Sequence, residues 1–113
     1  MPALRARIGG DVMHAPYLIE VETLQALRRT VLRGRLSDDR AALAREAFGS
    51  MPFVLYPHRP LMKRIWELRH SISAYDASYV ALAELLPAPL VTCDARLARS
   101  TGHRAEIELF APA

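Results

Sequence analysis

Two aspartates stand in stretches otherwise built for burial. Asp76 lies in Ser73-Ala74-Tyr75-Asp76-Ala77-Ser78-Tyr79-Val80-Ala81-Leu82-Ala83, and Asp94 in Pro89-Leu90-Val91-Thr92-Cys93-Asp94-Ala95-Arg96-Leu97. An ionised carboxylate is costly to bury unless a cation or several donors compensate it. Oxygen ligands without a matching set of histidines or cysteines suit Mg2+ or Mn2+ better than zinc. Such an ion activates water and steadies an in-line displacement at phosphorus.

Each aspartate also has a plain structural role open to it. On a helix, positions 76, 79, 80 and 83 share a face, here Asp76, Tyr79, Val80 and Ala83, so the carboxylate turns toward the buried side. A helix N-terminus favours its ionised form, and Asp76 is equally suited to capping that helix. Asp94 directly follows the apolar run Leu90–Cys93, and open α/β sheets bind ligands beyond the carboxyl ends of their strands. Thr92, two residues earlier, shares that face and adds a hydroxyl. As an ordinary turn residue, Asp94 would instead cap Ala95–Ser100. Glu22 and Glu20 both lie beside the stripe Leu18, Val21, Leu24, Leu27 and Val31, and pattern alone does not choose between them. Arg28, Arg29, Arg33 and Arg35 cluster at the end of one helix, and Arg64 and Arg69 lie on the helix before Asp76. Arginines near a helix C-terminus are ordinary dipole partners, and gripping an RNA phosphate is the second role open to Arg69. His14, His58, His70 and His103 follow no metal-ligand spacing and read as surface or packing residues. There is no glycine-rich phosphate loop and no G-x-S-x-G elbow.

The elements that must position these groups are legible as an alternation of helices and short strands. Ala3–Ile8 reads as a helix end stopped by Gly9-Gly10, and Asp11–Ala15 as a short extended segment. Pro16 opens the next helix, and its stripe runs on until Gly34. Ser37 caps a further helix with Asp38 and Asp39 in its first turn and Leu43, Ala44, Ala47 and Phe48 on its apolar side; Gly49 closes it. Phe53–Tyr56 is a strand between prolines, and Pro60 opens a helix carrying Leu61, Ile65 and Leu68. Asp76–Leu86 is a helix ended by Pro87 and Pro89. Leu90–Cys93 suits a strand buried on both faces, Arg96–Ser100 one helical turn, and Glu106–Leu109 an edge strand. The pattern predicts a layered α/β fold.

With 113 residues the chain holds one core, and apolar residues make up 51% of it against 24% charged. A net charge of +3 fits an acidic partner such as RNA without requiring one. The single cysteine, Cys93, has no internal disulfide partner, which fits a reducing cytoplasm, and its apolar neighbours make it a packing residue. No apolar stretch approaches the ~20 residues of a membrane span, and no export signal core follows the N-terminal arginines.

Three segments in order, Ala15-Pro16-Tyr17-Leu18-Ile19-Glu20-Val21-Glu22, Tyr75–Ala83 and Leu90–Leu97, resemble the VapC-type toxins of the PIN-domain ribonuclease family over about Ala3 to Phe110. The resemblance implies a three-layer α/β/α domain with a mostly parallel sheet, spanning residues 1–113 as a single unit. It also implies a Mg2+- or Mn2+-dependent endoribonuclease that cleaves RNA, a homodimer, and a cognate VapB-type antitoxin. Carried over by position, Glu22, Asp76 and Asp94 become the catalytic, metal-binding acids, which favours Glu22 over Glu20. The family's first motif, a central strand ending in an aspartate, has no counterpart: the chain begins inside what resembles the following helix, and Asp11 falls too late to replace that acid. The expectation is an N-terminally truncated domain from a longer native protein, with a gap of about two strand spacings, roughly 10 Å, in its sheet. A catalytically impaired domain that binds antitoxin or dimerises is the alternative.

Overall fold

The computed structural model describes residues 5–8, 12–86 and 88–110, with residues 5–8 given by backbone alone. Its strands are β1 (Arg5–Ile8), β2 (Val12–Pro16), β3 (Phe53–Tyr56), β4 (Leu90–Thr92) and β5 (Ile107–Leu109). Its helices are α1 (Leu18–Leu32), α2 (Asp38–Gly49), α3 (Met62–Glu67), α4 (Ala74–Leu85) and α5 (Ala95–Ala98), and a 3-10 turn over Arg59–Leu61 leads into α3.

The strands form one sheet in the order β3-β2-β1-β4-β5. β2 runs parallel to β3 and β4 to β5, whereas β1 is antiparallel to both its neighbours, β2 and β4. Four strands therefore point one way and end along one edge of the sheet. That edge leads into α1 after β2 and into Asp94 after β4, where open α/β sheets place their ligands. The layered α/β/α class is as the resemblance implied, and four of the five strands share one direction, with β1 the antiparallel exception.

The N-terminal segment departs from expectation. Arg5–Ile8 does not finish a helix; it is the central strand, with Ala6 opposite His14 on one side and Leu90 on the other. Ala3, Leu4, the Gly9-Gly10 stop and Asp11 lie outside the described residues. The physical reason for the strand is the demand of its neighbours. Without it, β2 and β4 would face each other across unpaired backbone groups. Arg-Ala-Arg-Ile alternates polar with apolar, so it suits a ladder as readily as a helix. The mid-sheet gap is thus closed, though by an antiparallel strand that carries no acid.

Helix α4 supplies more of the core than any other element. Its Ala77, Tyr79, Val80 and Ala83 pack with Ala15, Ile19, Leu68, Leu90 and Leu97, all buried. Small side chains on this face let the helix lie close to the sheet. Ser73 caps α4 by accepting the Asp76 N–H at 3.1 Å, so the helix starts at Ala74, earlier than Asp76. Pro87, expected to end it, lies outside the described residues. Ser37 caps α2 in the same manner through the Arg40 N–H, and Gly34 turns the chain after α1 at a φ of 72°. Helix α1 differs from its pattern: Ile19 is buried, whereas Val21 is 66% and Leu24 47% exposed. Beyond its first turns α1 packs on α2 rather than on the sheet, and much of its stripe faces outward.

Candidate metal centre

Asp76 occupies the third position of α4. Because Ser73 is the cap, the Asp76 carboxylate is not spent on capping its own helix. It is half-buried, and burial together with the neighbouring negative charge of Asp94 holds its carboxyl above the ordinary carboxylate range. The Ser73 hydroxyl and the charge of Arg96 oppose that shift.

Asp94 sits at the end of β4, held from both sides. The buried Thr92 Oγ1 accepts the Asp94 N–H at 3.0 Å. Asp94 Oδ1 accepts the amides of Arg96 at 2.9 Å and Leu97 at 3.4 Å, capping α5. The capping role is therefore real, and it engages one carboxylate oxygen. Asp76 and Asp94 share a cleft of about 430 Å³ whose walls include Ser71, Ser73, Arg96 and Ser100.

Glu22 is not brought into this pair. The Tyr79 hydroxyl donates to Glu22 Oε1 at 2.6 Å, joining α4 to α1, and Glu22 lines a separate groove with Tyr75 and Arg29. Among the described residues, no three His, Cys, Asp or Glu side chains stand close enough together to hold a metal ion. Tyr79 explains the separation: it is 2% exposed, and a buried hydroxyl without an acceptor is costly. Burial and the Glu22 bond push the phenol further up, keeping it a donor. Glu20 is exposed in the first turn of α1.

The remaining expectations divide. Thr92 orients the Asp94 backbone. Arg69 does not line the cleft: its guanidinium lies 4.7 Å over the Trp66 ring and donates to the Trp66 carbonyl at 2.9 Å. Arg96, which sequence inspection passed over, does line it. The available signal was its place two residues past the strand-end aspartate. His58 caps α1 by accepting the Leu18 N–H, and His14 and His103 bond Tyr56 and Ser100, so these three are structural.

Two carboxylates in one polar cleft suit a small hard cation. Mg2+ commonly takes one or two carboxylates and completes its shell with waters and substrate phosphates. The repulsion from Asp94, which adds to the effect of burial on Asp76, is what such an ion would relieve. Without metal, Asp76→Asn should stabilise the protein at neutral pH. A carboxyl whose folded value is raised costs stability once ionised, so the two proteins should match below about pH 4 and diverge as pH rises through Asp76's folded value. Thermal melts in chelator across that range check this; a variant that melts lower at neutral pH would contradict it.

The PIN domain family model matches residues 2–102 of the chain. Ribonuclease VapC12 of Mycobacterium tuberculosis is 43% identical over 109 residues, covering 96% of this chain and 84% of that protein. Ribonuclease VapC1 of the same organism is 42% identical over 110 residues, covering 94% and 80%. VapC ribonuclease Mb0985 of Mycobacterium bovis is 45% identical over 95 residues, covering 82% and 73%. With the carboxylate pair at the strand-end edge of an α/β/α sheet, these matches make the chain a VapC-type member of the PIN-domain family.

Proposed function

We propose that this chain is a Mg2+- or Mn2+-dependent endoribonuclease toxin of a type II toxin–antitoxin system, a single PIN domain that hydrolyses RNA phosphodiester bonds. The observation that carries this reading is the shared cleft of Asp76 and Asp94, where burial first and the charge of Asp94 second raise Asp76. The names of the VapC relatives, ribonucleases all, support the substrate class.

Asp76 and Asp94 would hold the cation; Glu22, the third acid that the resemblance names, stands apart from them in the neighbouring groove, bonded to Tyr79. When bound, the cation supplies Lewis acidity and an activated water. The protein's own part is positioning. Thr92 and two backbone amides fix Asp94, the α4 N-terminus and Ser73 fix Asp76, and the Tyr79 hydroxyl fixes Glu22. Exposed apolar side chains on α1 and α2, among them Val21, Leu24, Leu32 and Leu43, support protein partners, which we assign to a VapB-type antitoxin and a second copy of the chain. An unpaired Cys93 accords with a cytoplasmic setting, and among the described residues no helix is long and apolar enough to cross a membrane.

Cleavage of a mixed RNA substrate should require added Mg2+ or Mn2+, stop with excess chelator, and return when the metal is restored. Undiminished cleavage in chelator would refute the metal dependence. A protein that binds antitoxin but neither cation nor RNA would be an interaction module rather than an enzyme.

A further inference from the structure

We propose that Arg96 grips the phosphate of the bound RNA strand in the Asp76–Asp94 cleft, a substrate contact that rests on the ribonuclease reading and that Arg69 does not supply. A cleft walled by two carboxylates repels a polyanion, so a strand entering it needs a fixed positive charge beside the acids. Arg96 is placed to give it. Its backbone N–H is pinned to Asp94 Oδ1 at 2.9 Å in the first turn of α5, while its side chain is exposed on the cleft wall.

The two arginines that precede Asp76 on the neighbouring helix segment are committed elsewhere. Arg64 holds Glu84 and Glu67, and Arg69 stacks on Trp66. Arg96 makes no ion pair among the described residues, although two carboxylates share its cleft. Its charge reaches Asp76 without contact, so its donors are left for a ligand. The planar guanidinium presents paired N–H groups that match phosphate oxygens, a geometry an ammonium lacks. The rest of the wall combines the hydroxyls of Ser71, Ser73 and Ser100 with the aliphatic Ile72 and Leu97, and at about 430 Å³ the cleft lies in the size range of small-ligand sites. A phosphate and its ribose fit that lining better than an apolar group does.

The test compares wild type, Arg96→Gln, Arg96→Lys and Arg69→Gln. Binding of a short single-stranded RNA is followed by fluorescence anisotropy in chelator over a series of salt concentrations. Arg96→Gln should reduce the slope of log K against log salt by about 0.7, the value for one lost phosphate contact on a single strand. Arg96→Lys should restore the slope, and Arg69→Gln should leave it unchanged. In cleavage assays with Mn2+, Arg96→Gln should raise KM roughly tenfold and leave kcat within about twofold, the pattern of lost uniform binding. If wild type binds and cleaves while Arg96→Gln keeps both slope and KM, the proposal is wrong and the ribonuclease reading stands. A fall in kcat alone would also overturn it, assigning Arg96 to the electrostatics of Asp76. If wild type neither binds nor cleaves RNA, both the proposal and the function it rests on fall.

Discussion

Asp94→Asn should abolish RNA cleavage while leaving the fold in place. Asparagine caps helices about as well as aspartate. Its carbonyl oxygen can take the Arg96 and Leu97 amides that Asp94 Oδ1 takes now, and the bond from the Asp94 N–H to Thr92 is untouched by the change. What disappears is one negative charge from a two-carboxylate cleft. A metal ion's stabilisation of developing charge is worth several kcal/mol, and each 1.36 kcal/mol is tenfold in rate, so the expected loss in kcat is about 10²- to 10⁴-fold. Calorimetry with Mn2+ should show weakened cation binding in parallel, and the far-ultraviolet circular dichroism should be unchanged. Wild-type cleavage by Asp94→Asn would reduce Asp94 to the cap that its hydrogen bonds already make it.

That contrast shows what the sequence could carry. The positions of Asp76 and Asp94 followed from local patterning: an apolar helix face and a short buried strand, each read from a few neighbouring residues. Such signals are local because capping, periodicity and strand burial are local. Glu22 was different. Its surroundings depend on Tyr79, 57 residues away, and no spacing rule anticipates that a buried hydroxyl from α4 claims its carboxylate. Arg69 and Arg96 make the same point. Both are exposed arginines near an aspartate, and only the packing of Arg69 on Trp66 separates them.

The N-terminal strand was missed for another physical reason. Four residues that alternate polar and apolar are ambiguous between a helix end and a strand, and tertiary demand decides. Here two strands each needing a partner impose β structure on Arg5–Ile8. The outward stripe of α1 has a related cause. Periodicity identifies an apolar face, but it does not say whether the sheet or another molecule covers it.

Glu84→Ala should be among the most destabilising single changes in the protein, and no motif pointed to it. Glu84 sits near the end of α4 with its side chain 5% exposed. Arg64 donates to both its oxygens, Nε to Oε1 at 2.7 Å and Nη2 to Oε2 at 3.0 Å, and the Arg104 N–H adds a third bond at 2.7 Å. One carboxylate thus ties α3, α4 and the segment before β5. Removing one partner of a buried pair typically costs 3–5 kcal/mol, because the other charge is left uncompensated. Arg64 is 29% exposed and retains Glu67 at 3.4 Å, so the loss should fall near the low end, about 3 kcal/mol, or roughly 10 °C in melting temperature. Replacing both partners, Arg64→Leu with Glu84→Leu, should recover part of that loss, since an apolar pair strands no charge. The pH dependence has a definite sign. The Arg64 bonds hold the Glu84 carboxyl below its ordinary value, so its contribution is present above about pH 4.3 and is lost as pH falls through the folded value. The gap between wild type and Glu84→Ala should therefore close in acid, whereas about 1 M salt should reduce it only partly, since buried pairs are screened less than exposed ones. A gap that persists undiminished to the acid limit would mean that Glu84 acts through packing and not through its charge.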